Sequence, residues 1–352
     1  MKKIKVLVVD DSALMRKIIS DMIEEDDCLE VIGTARNGVD MFEKLSGIHS
    51  VNMPDIITLD VEMPRMDGIT ALREMKSRNI NIPTIVLSSS STSSTKLTMD
   101  CLQEGAFDFI QKPSGPISLD INKVQYELIK KIKMSCSVEN CDRTSQTVKN
   151  QVVPEAKRYE RHSIKAVVIG ASTGGPKALY SVITKLPKNI GVPTFVVQHM
   201  PVGFTKAFSE RLDANSNQKV VEAEENMNII SDRVYIARGG LHMKIGRDRK
   251  LHLVDEPPIW GVKPAVDKLF ESAAEVYGGS LVSVVLTGMG KDGACGTEKI
   301  KDKGGITIAE DKSTCTIYGM PKAAYETGKV DMVLKLDDIA DKITNLVLTG
   351  RR

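Results

Sequence analysis

The chain has 352 residues, enough for about two domains, and 41% of them are hydrophobic, enough to give each domain a full core. Its 48 basic and 46 acidic residues leave a net charge of +2, which argues against a dedicated nucleic-acid binder with its clear basic excess. Aromatic residues make up only 4%, which argues against stacking platforms for single-stranded nucleic acid. The six cysteines, Cys28, Cys101, Cys136, Cys141, Cys295 and Cys315, form no C-x-x-C pair and no Cys/His cluster of zinc spacing. Ordinary reduced thiols of a cytoplasmic protein are expected. The apolar run of MKKIKVLVVDD breaks at Asp10, too soon for a signal peptide. No apolar stretch approaches the roughly 18 residues of a membrane helix, so no membrane insertion is expected.

The first strand, Ile4–Val9, ends in two acids, Asp10 and Asp11. Helices are predicted over Ala13–Glu25, Gly38–Leu45, Gly68–Arg78 and Thr95–Glu104 from apolar residues at helical spacing, such as Ile69, Leu72 and Met75. Between them an apolar run from Ile56 ends in a carboxylate, Asp60, and a loop with proline and glycine follows in TLDVEMPRMDG. Thr84–Leu87 ends in the hydroxyls of Ser88 and Ser89, and Phe107–Ile110 ends in Lys112-Pro113. Alternating strands and helices imply a parallel sheet covered on both faces, with its chemistry at the carboxyl ends of the strands. Acids, hydroxyl and lysine then converge on one edge. Asp10, Asp11 and Asp60 offer the oxygen ligands that Mg²⁺ prefers. Asp60 also qualifies as a nucleophile in aspartyl-phosphate chemistry. Lys112 and the metal would neutralise a phosphoryl group, and Ser88 would hydrogen-bond one of its oxygens.

With LVVDDS at Leu7–Ser12, the Thr58–Gly68 segment, the serine after Leu87 and Lys112-Pro113, the first third of the chain resembles a response-regulator receiver domain. The resemblance implies a flavodoxin-like fold, phosphorylation at Asp60, an aromatic at Phe109 that changes rotamer on phosphorylation, and a proline that often follows a cis peptide.

Ser118–Met134 reads as a last helix, with Lys123, Lys130, Lys131 and Lys133 on a solvated face. Residues 1–134 are thus one domain. Ser135–His162, poorest in apolar residues and carrying Pro154, reads as a polar interdomain linker. Residues 163–352 form the second domain. Its strands are predicted at Ser163–Gly170, Thr194–Gln198, Arg233–Ala237, Val282–Leu286 and Ile306–Ala309. Its helices are predicted at Gly175–Lys185, Gly203–Asn215, Val262–Tyr277 and Asp292–Lys303, again α/β and doubly wound.

Three strand ends in this half carry reactive groups: GASTGG at Gly170–Gly175, QHMP at Gln198–Pro201, and TGMGKDG at Thr287–Gly293. Ser172, His199 and Asp292 would line one edge as nucleophile, base and orienting acid, with amides near Thr173 and Met289 as oxyanion donors. Two other readings compete. A glycine-rich turn before a helix can cradle phosphate, but this one lacks G-x-G-x-x-G spacing and no G-K-[ST] follows. Residues 170–174 also satisfy G-x-S-x-G, whose usual partners follow in the order acid, then histidine. His242 and His252 would restore that order. Both lie in Leu241–Val254, which reads as a β-hairpin turning at Gly246–Lys250, so they are expected to be surface or strand histidines. His49 and His162 sit in polar loops.

The segments IGASTGGP, VVQHMP and LTGMGKDGA resemble the catalytic domain of the CheB protein-glutamate methylesterase family, from about Ser163 onward. The resemblance puts Ser172, His199 and Asp292 on the family's triad and implies a Rossmann-like α/β domain. It implies hydrolysis of glutamate γ-methyl esters on methyl-accepting chemotaxis receptors, with release of methanol, and deamidation of receptor glutamines. A CheA-like histidine kinase would be the phosphodonor, Mg²⁺ would be needed only at the receiver, and the esterase would need no cofactor. Two alternatives are a receiver-controlled ligand-binding module without esterase activity and a transcriptional regulator; the second is disfavoured by the absence of a basic face.

Overall fold

The computed structural model describes residues 3–47, 53–113, 121–141 and 163–349. The chain divides into two units, residues 1–145 and 146–352. The predicted linker falls largely outside the described residues, as do His49 and His162.

The first unit alternates β1 (Ile4–Val9), α1 (Ala13–Glu24), β2 (Leu29–Ala35), α2 (Gly38–Gly47), β3 (Ile56–Asp60), α3 (Gly68–Ser77), β4 (Thr84–Ser88), α4 (Thr92–Glu104), β5 (Asp108–Gln111) and α5 (Ile121–Cys141). The five strands are parallel, in the order β2-β1-β3-β4-β5. Near-continuous burial of β1, β3 and β4 is what a sheet covered on both faces requires. One core layer joins Val6, Val8, Ile56, Ile85 and Leu87 to Ile19 and Ile23 of α1 and Leu128 and Ile132 of α5. The chain reverses its winding between β1 and β3, so the crevice at the carboxyl ends of those strands is the topological switch point. Asp10 and Asp60 sit there.

Local chemistry sets the helix boundaries. Ser12, Asp67 and Ser91 cap α1, α3 and α4 by accepting from the amides of Met15, Thr70 and Ser94. The Ser91 cap starts α4 three residues before the predicted Thr95. Helix α5 runs to Cys141, seven residues past the predicted end. The Lys112-Pro113 bond is not the cis peptide expected of it: among the described residues only Lys263-Pro264 is cis.

The predicted solvated lysine face of α5 is also corrected. The Lys131 side chain is only 13% exposed; its Nζ lies 3.1 Å from Asp108 Oδ2 and 2.9 Å from Glu127 Oε1, and it donates to the Phe109 carbonyl at 2.6 Å. Lys133 pairs with Asp26 at 2.6 Å. A buried acid at the start of β5 needs a cation, and α5 supplies it. Burial pushes the Asp108 carboxyl up, opposed by the Lys131 charge.

The second unit carries a seven-stranded, all-parallel sheet in the order β14-β13-β12-β6-β7-β9-β8. Its strands are β6 (Ala166–Ala171), β7 (Thr194–Gln198), β8 (Lys219–Glu222), β9 (Arg233–Ile236), β12 (Leu281–Val285), β13 (Ile306–Glu310) and β14 (Met332–Leu334). Its helices are α6 (Gly175–Ile183), α7 (Phe204–Asn215), α8 (Val266–Tyr277), α9 (Ala294–Asp302), α10 (Met320–Glu326) and α11 (Leu336–Thr349). The predicted hairpin is present as β10 (His242–Ile245) and β11 (Leu251–Val254). The edge strands β8 and β14 and the helices α10 and α11 are additions to the sequence reading. Helix α8 begins four residues later than predicted, because Pro264 disfavours helical backbone just before it. Phe195, Tyr235 and Phe270 fill the core against β6 and β12. Here the winding reverses at β6, between β7 and β12, which defines the second crevice.

Replacing Lys131 by Met strands a buried carboxylate, and a cost of about 3–5 kcal/mol is expected. Adding Asp108→Asn to that variant recovers more than half of the loss. Urea unfolding followed by far-ultraviolet circular dichroism checks this; the single tryptophan lies in the other unit and does not report on it.

Candidate functional site

In the first unit, Asp10, Asp11 and Asp60 bring carboxylate oxygens within 4.8 Å of one another, with Asp10 and Asp60 buried and Asp11 exposed. Lys112 Nζ lies 2.6 Å from Asp10 Oδ2 and 2.7 Å from Asp60 Oδ2, with its side chain 15% exposed. Burial pushes the Asp60 carboxyl up to about 6, against the charge and hydrogen bond of Lys112, which lower it. Burial works to lower Lys112, but Asp60 and Asp10 hold it above its ordinary value. An all-oxygen set of three acids suits a hard divalent cation such as Mg²⁺. Three carboxylates gather beside the single charge of Lys112, so a divalent cation fits the donor set.

Ser88 and Phe109 are present but otherwise engaged. Ser88 is fully buried and its Oγ accepts from Thr98 Oγ1 at 2.6 Å and lies 3.0 Å from Ser94 Oγ. A phosphoryl oxygen would have to draw that hydroxyl away. Phe109 is buried beneath Lys131, whose Nζ sits 5.4 Å from the ring centroid.

In the second unit, the ends of the neighbouring strands β7, β6 and β12 deliver His199, Ser172 and the loop bearing Asp292. The ladder continues past the strands: His199 N donates to Ala171 O at 3.1 Å and Ser172 N to Thr287 O at 3.0 Å. Gln198, 2% exposed, donates from Nε2 to the carbonyls of Ser172 at 2.9 Å and His199 at 3.2 Å, locking the two loops together. Thr287 Oγ1 donates to Thr173 O at 3.0 Å and accepts from Ile317 N at 2.9 Å. Gly288 lies so close to Ser172 that a Cβ would stand 2.7 Å from the serine Cβ. Among the described residues, the Thr173 and Met289 amides donate to no other group. Thr173 follows Ser172 in its loop, and Met289 follows Gly288, which packs against Ser172.

His199 Nε2 and Asp292 Oδ2 are 2.8 Å apart. No hydrogen bond joins the remaining ring nitrogen, Nδ1, to Ser172 Oγ in this structure; such bonds often tighten only with substrate. Asp292 is buried and is held by more than histidine. Val266 N donates to its Oδ2 at 2.6 Å and Asp267 N to its Oδ1 at 2.9 Å. These are the first amides of α8, whose N-cap residue Ala265 has no side chain to offer. Burial works to raise Asp292, but the bond and charge of His199 and the two amides leave it below the ordinary carboxylate range.

Asp267 returns the exchange. Its Oδ1 accepts from Gly293 N at 3.0 Å and Gly296 N at 2.7 Å, at the start of α9. Its Oδ2 accepts from Trp260 Nε1 at 3.1 Å. Burial and the Asp292 charge push Asp267 up to about 6. Sequence reasoning missed Gln198, Asp267 and Trp260. The findable signals were a polar residue ending a buried strand and an acid in the first turn of a helix that no Ser, Thr, Asp or Asn precedes.

His242 does not restore the serine–acid–histidine order. Far from the surface, it is fully buried, accepting from Ala265 N at Nδ1 (3.1 Å) while Nε2 lies 3.1 Å from Pro257 O. It is therefore neutral, with burial the main cause holding it below the usual histidine range. His252 is a surface residue between Glu225 and Asp248.

A raised Asp267 makes stability fall as pH climbs from about 4, its unfolded value, through about 6, its folded value. Asp267→Asn removes this contribution, so the difference in urea midpoint between wild type and variant is expected to change across that window and to be level above it. A difference that is flat throughout would show that Asp267 is not raised.

Residues 167–343 match the family model described as CheB methylesterase, and residues 6–122 match the response regulator receiver domain. The chain is 54% identical to a protein-glutamate methylesterase/protein-glutamine glutaminase of Clostridium acetobutylicum, over the full length of both. It is 44% identical to one of Syntrophomonas wolfei, over 99% of this chain and all of the relative. The crystal structure of the Thermotoga maritima CheB methylesterase catalytic domain is 47% identical and superposes with a TM-score of 0.51, covering 53% of this chain and 100% of that domain. A receiver fold in the first unit and a seven-stranded parallel sheet with the His199–Asp292 pair at its switch point in the second agree with these likenesses: the chain belongs to the CheB methylesterase family, with a response regulator receiver domain at its start.

Proposed function

We propose that the chain is a phosphorylation-activated hydrolase for adaptation in chemotaxis. Its reaction is demethylation of glutamate γ-methyl esters on methyl-accepting chemotaxis receptors, and deamidation of specific receptor glutamines to glutamate. The observation that carries the reading is the His199–Asp292 pair, 2.8 Å apart, on the loops that flank Ser172 at the switch point of the sheet. The names of the full-length relatives support the same activity.

In this reading Ser172 Oγ attacks the γ-carbonyl carbon and its proton passes to His199 Nδ1. Asp292 holds the imidazole by Nε2–H and stabilises the imidazolium. The oxyanion takes the amides of Thr173 and Met289. Collapse breaks the carbon–oxygen bond, and His199 returns the proton to the departing methanol; for a glutamine the leaving group is ammonia. Water, deprotonated by the same imidazole, then releases the carboxylate and restores Ser172. No cofactor enters these steps.

At the receiver, Asp60 accepts a phosphoryl group from a CheA-like histidine kinase, its oxygen forming a bond to phosphorus as the donor's bond breaks. Asp10, Asp11 and Asp60 would hold Mg²⁺, which supplies positive charge against the phosphoryl oxygens. Lys112 adds a second charge, Ser88 turns to bond a phosphoryl oxygen, and Phe109 changes rotamer in response. No helix among the described residues is long and apolar enough to cross a membrane.

Methanol release from methylated receptor is expected to drop by about 10⁴-fold in Asp292→Asn, through loss of the orienting acceptor, and at least as far in Ser172→Ala. A small-molecule phosphodonor with Mg²⁺ should raise wild-type release by roughly 5–150-fold, a coupling typical between distinct sites. Asp60→Asn should abolish that rise. No release by wild type in the presence of phosphodonor would overturn the esterase reading.

A further inference from the structure

Trp260 is the single tryptophan of the chain, and it occupies a position unsuited to a bulky side chain. Ile259 and Val262 bond each other as an antiparallel bridge, N to O at 3.1 and 2.9 Å. The two residues between them, Trp260 and Gly261, have φ of 52° and 81°. Turns with positive φ at both central positions favour Asn-Gly, Asp-Gly or Gly-Gly. A large residue there persists only when its surroundings over-determine it, and such strain gathers at functional sites.

The surroundings do hold it. The indole Nε1 donates to Asp267 Oδ2, and Lys291 Nζ lies 3.8 Å from the ring centroid. Asp267 N is bonded to Asp292, and Asp292 to His199, so three hydrogen bonds separate the indole from the imidazole. Lys291 directly precedes Asp292. Yet Trp260 remains 51% exposed. A purely architectural role accounts for the N–H bond to Asp267. It does not account for a strained, rigid ring left half in water beside the catalytic edge, which is the signature of a binding anchor.

We propose that Trp260, with Lys291 on its ring, is the platform on which the substrate segment docks. The exposed indole packs against the apolar stem of the segment carrying the glutamyl ester. The Lys291 ammonium attracts acidic side chains around it, complementary to a segment whose every turnover leaves a new carboxylate. This rests on the esterase reading and adds the residues that select its substrate.

The full chain carrying Ser172→Ala, with phosphodonor and Mg²⁺, is titrated with a methylated receptor fragment lacking tryptophan. Tryptophan emission, excited selectively over the tyrosines, then comes from Trp260 alone, and a saturable shift to shorter wavelength is expected as the ring leaves water. By calorimetry, Trp260→Asn, which suits the turn, should weaken binding about tenfold or more. Trp260→Phe loses the same N–H bond but keeps an aromatic face, and should bind nearly as the parent does. Unchanged emission at saturation, or an Asn variant that binds as tightly as the parent, overturns the platform. Wild-type methanol release measured alongside separates the failures: release with a silent Trp260 refutes the platform alone, while no release refutes the esterase reading beneath it.

Discussion

The catalytic unit depends on an exchange of carboxylates between two helix starts. Asp292, just ahead of α9, receives the first amides of α8; Asp267, in the first turn of α8, receives amides at the start of α9. Neither helix has a capping side chain of its own. Each therefore satisfies its orphan N–H groups, and the positive end of its dipole, with the acid of the other. The two helices cannot shift independently without exposing unpaired donors. Asp292 is thereby fixed before histidine is considered. His199 meets an acceptor whose orientation has been settled by backbone, which is how an acid fixes one tautomer and one ring plane.

The two halves of the chain meet the same problem in different ways. Each places acids at the switch point of a parallel sheet, where burial penalises negative charge. In the catalytic unit the answer is His199 backed by backbone: its bond and charge, and then two amides, hold Asp292 below the ordinary carboxylate range, and the extra burden shows in Asp267, which is raised. In the receiver the answer is a lysine. Lys112 bridges Asp10 and Asp60, and Asp60 remains raised in spite of it. The contrast fits the chemistry proposed for each. A permanent orienting acid benefits from fixed donors. A site that must take up and give back a phosphoryl group benefits from a flexible cation that can move from carboxylate to phosphate.

Ser172 owes its position to contacts that are neither acidic nor catalytic. Gln198 ties its carbonyl to that of His199, Thr287 holds the next carbonyl along, and Gly288 lets the β12 loop press against it. The Thr173 and Met289 amides, proposed as oxyanion donors, donate to no other group among the described residues. Prearranged donors of this kind cost no reorganisation when charge develops.

The sequence by itself determined the α/β class, the strand ends and the residues gathered on them, because an apolar run that stops at Asp60, Ser172 or His199 marks both a buried strand and the edge where it emerges. It also determined the β10–β11 hairpin, from its turn residues. What it did not determine were interactions between elements distant in the chain. Lys131 looks like a surface lysine until β5 sets a buried Asp108 beside it. His242 is the strand histidine expected, the first residue of β10, but only the tertiary structure makes it the acceptor for the Ala265 amide ahead of α8. Asp267 shows only as an acid in the first turn of an uncapped helix, and nothing in the sequence says which amides it would meet. Edge strands as short as Met332–Leu334 and a helix such as α11, beyond the last motif, offered little periodicity to read. Strand ends are legible because burial writes itself along the chain; only the tertiary structure decided which acid caps which helix, since that pairing depends on two segments meeting in space.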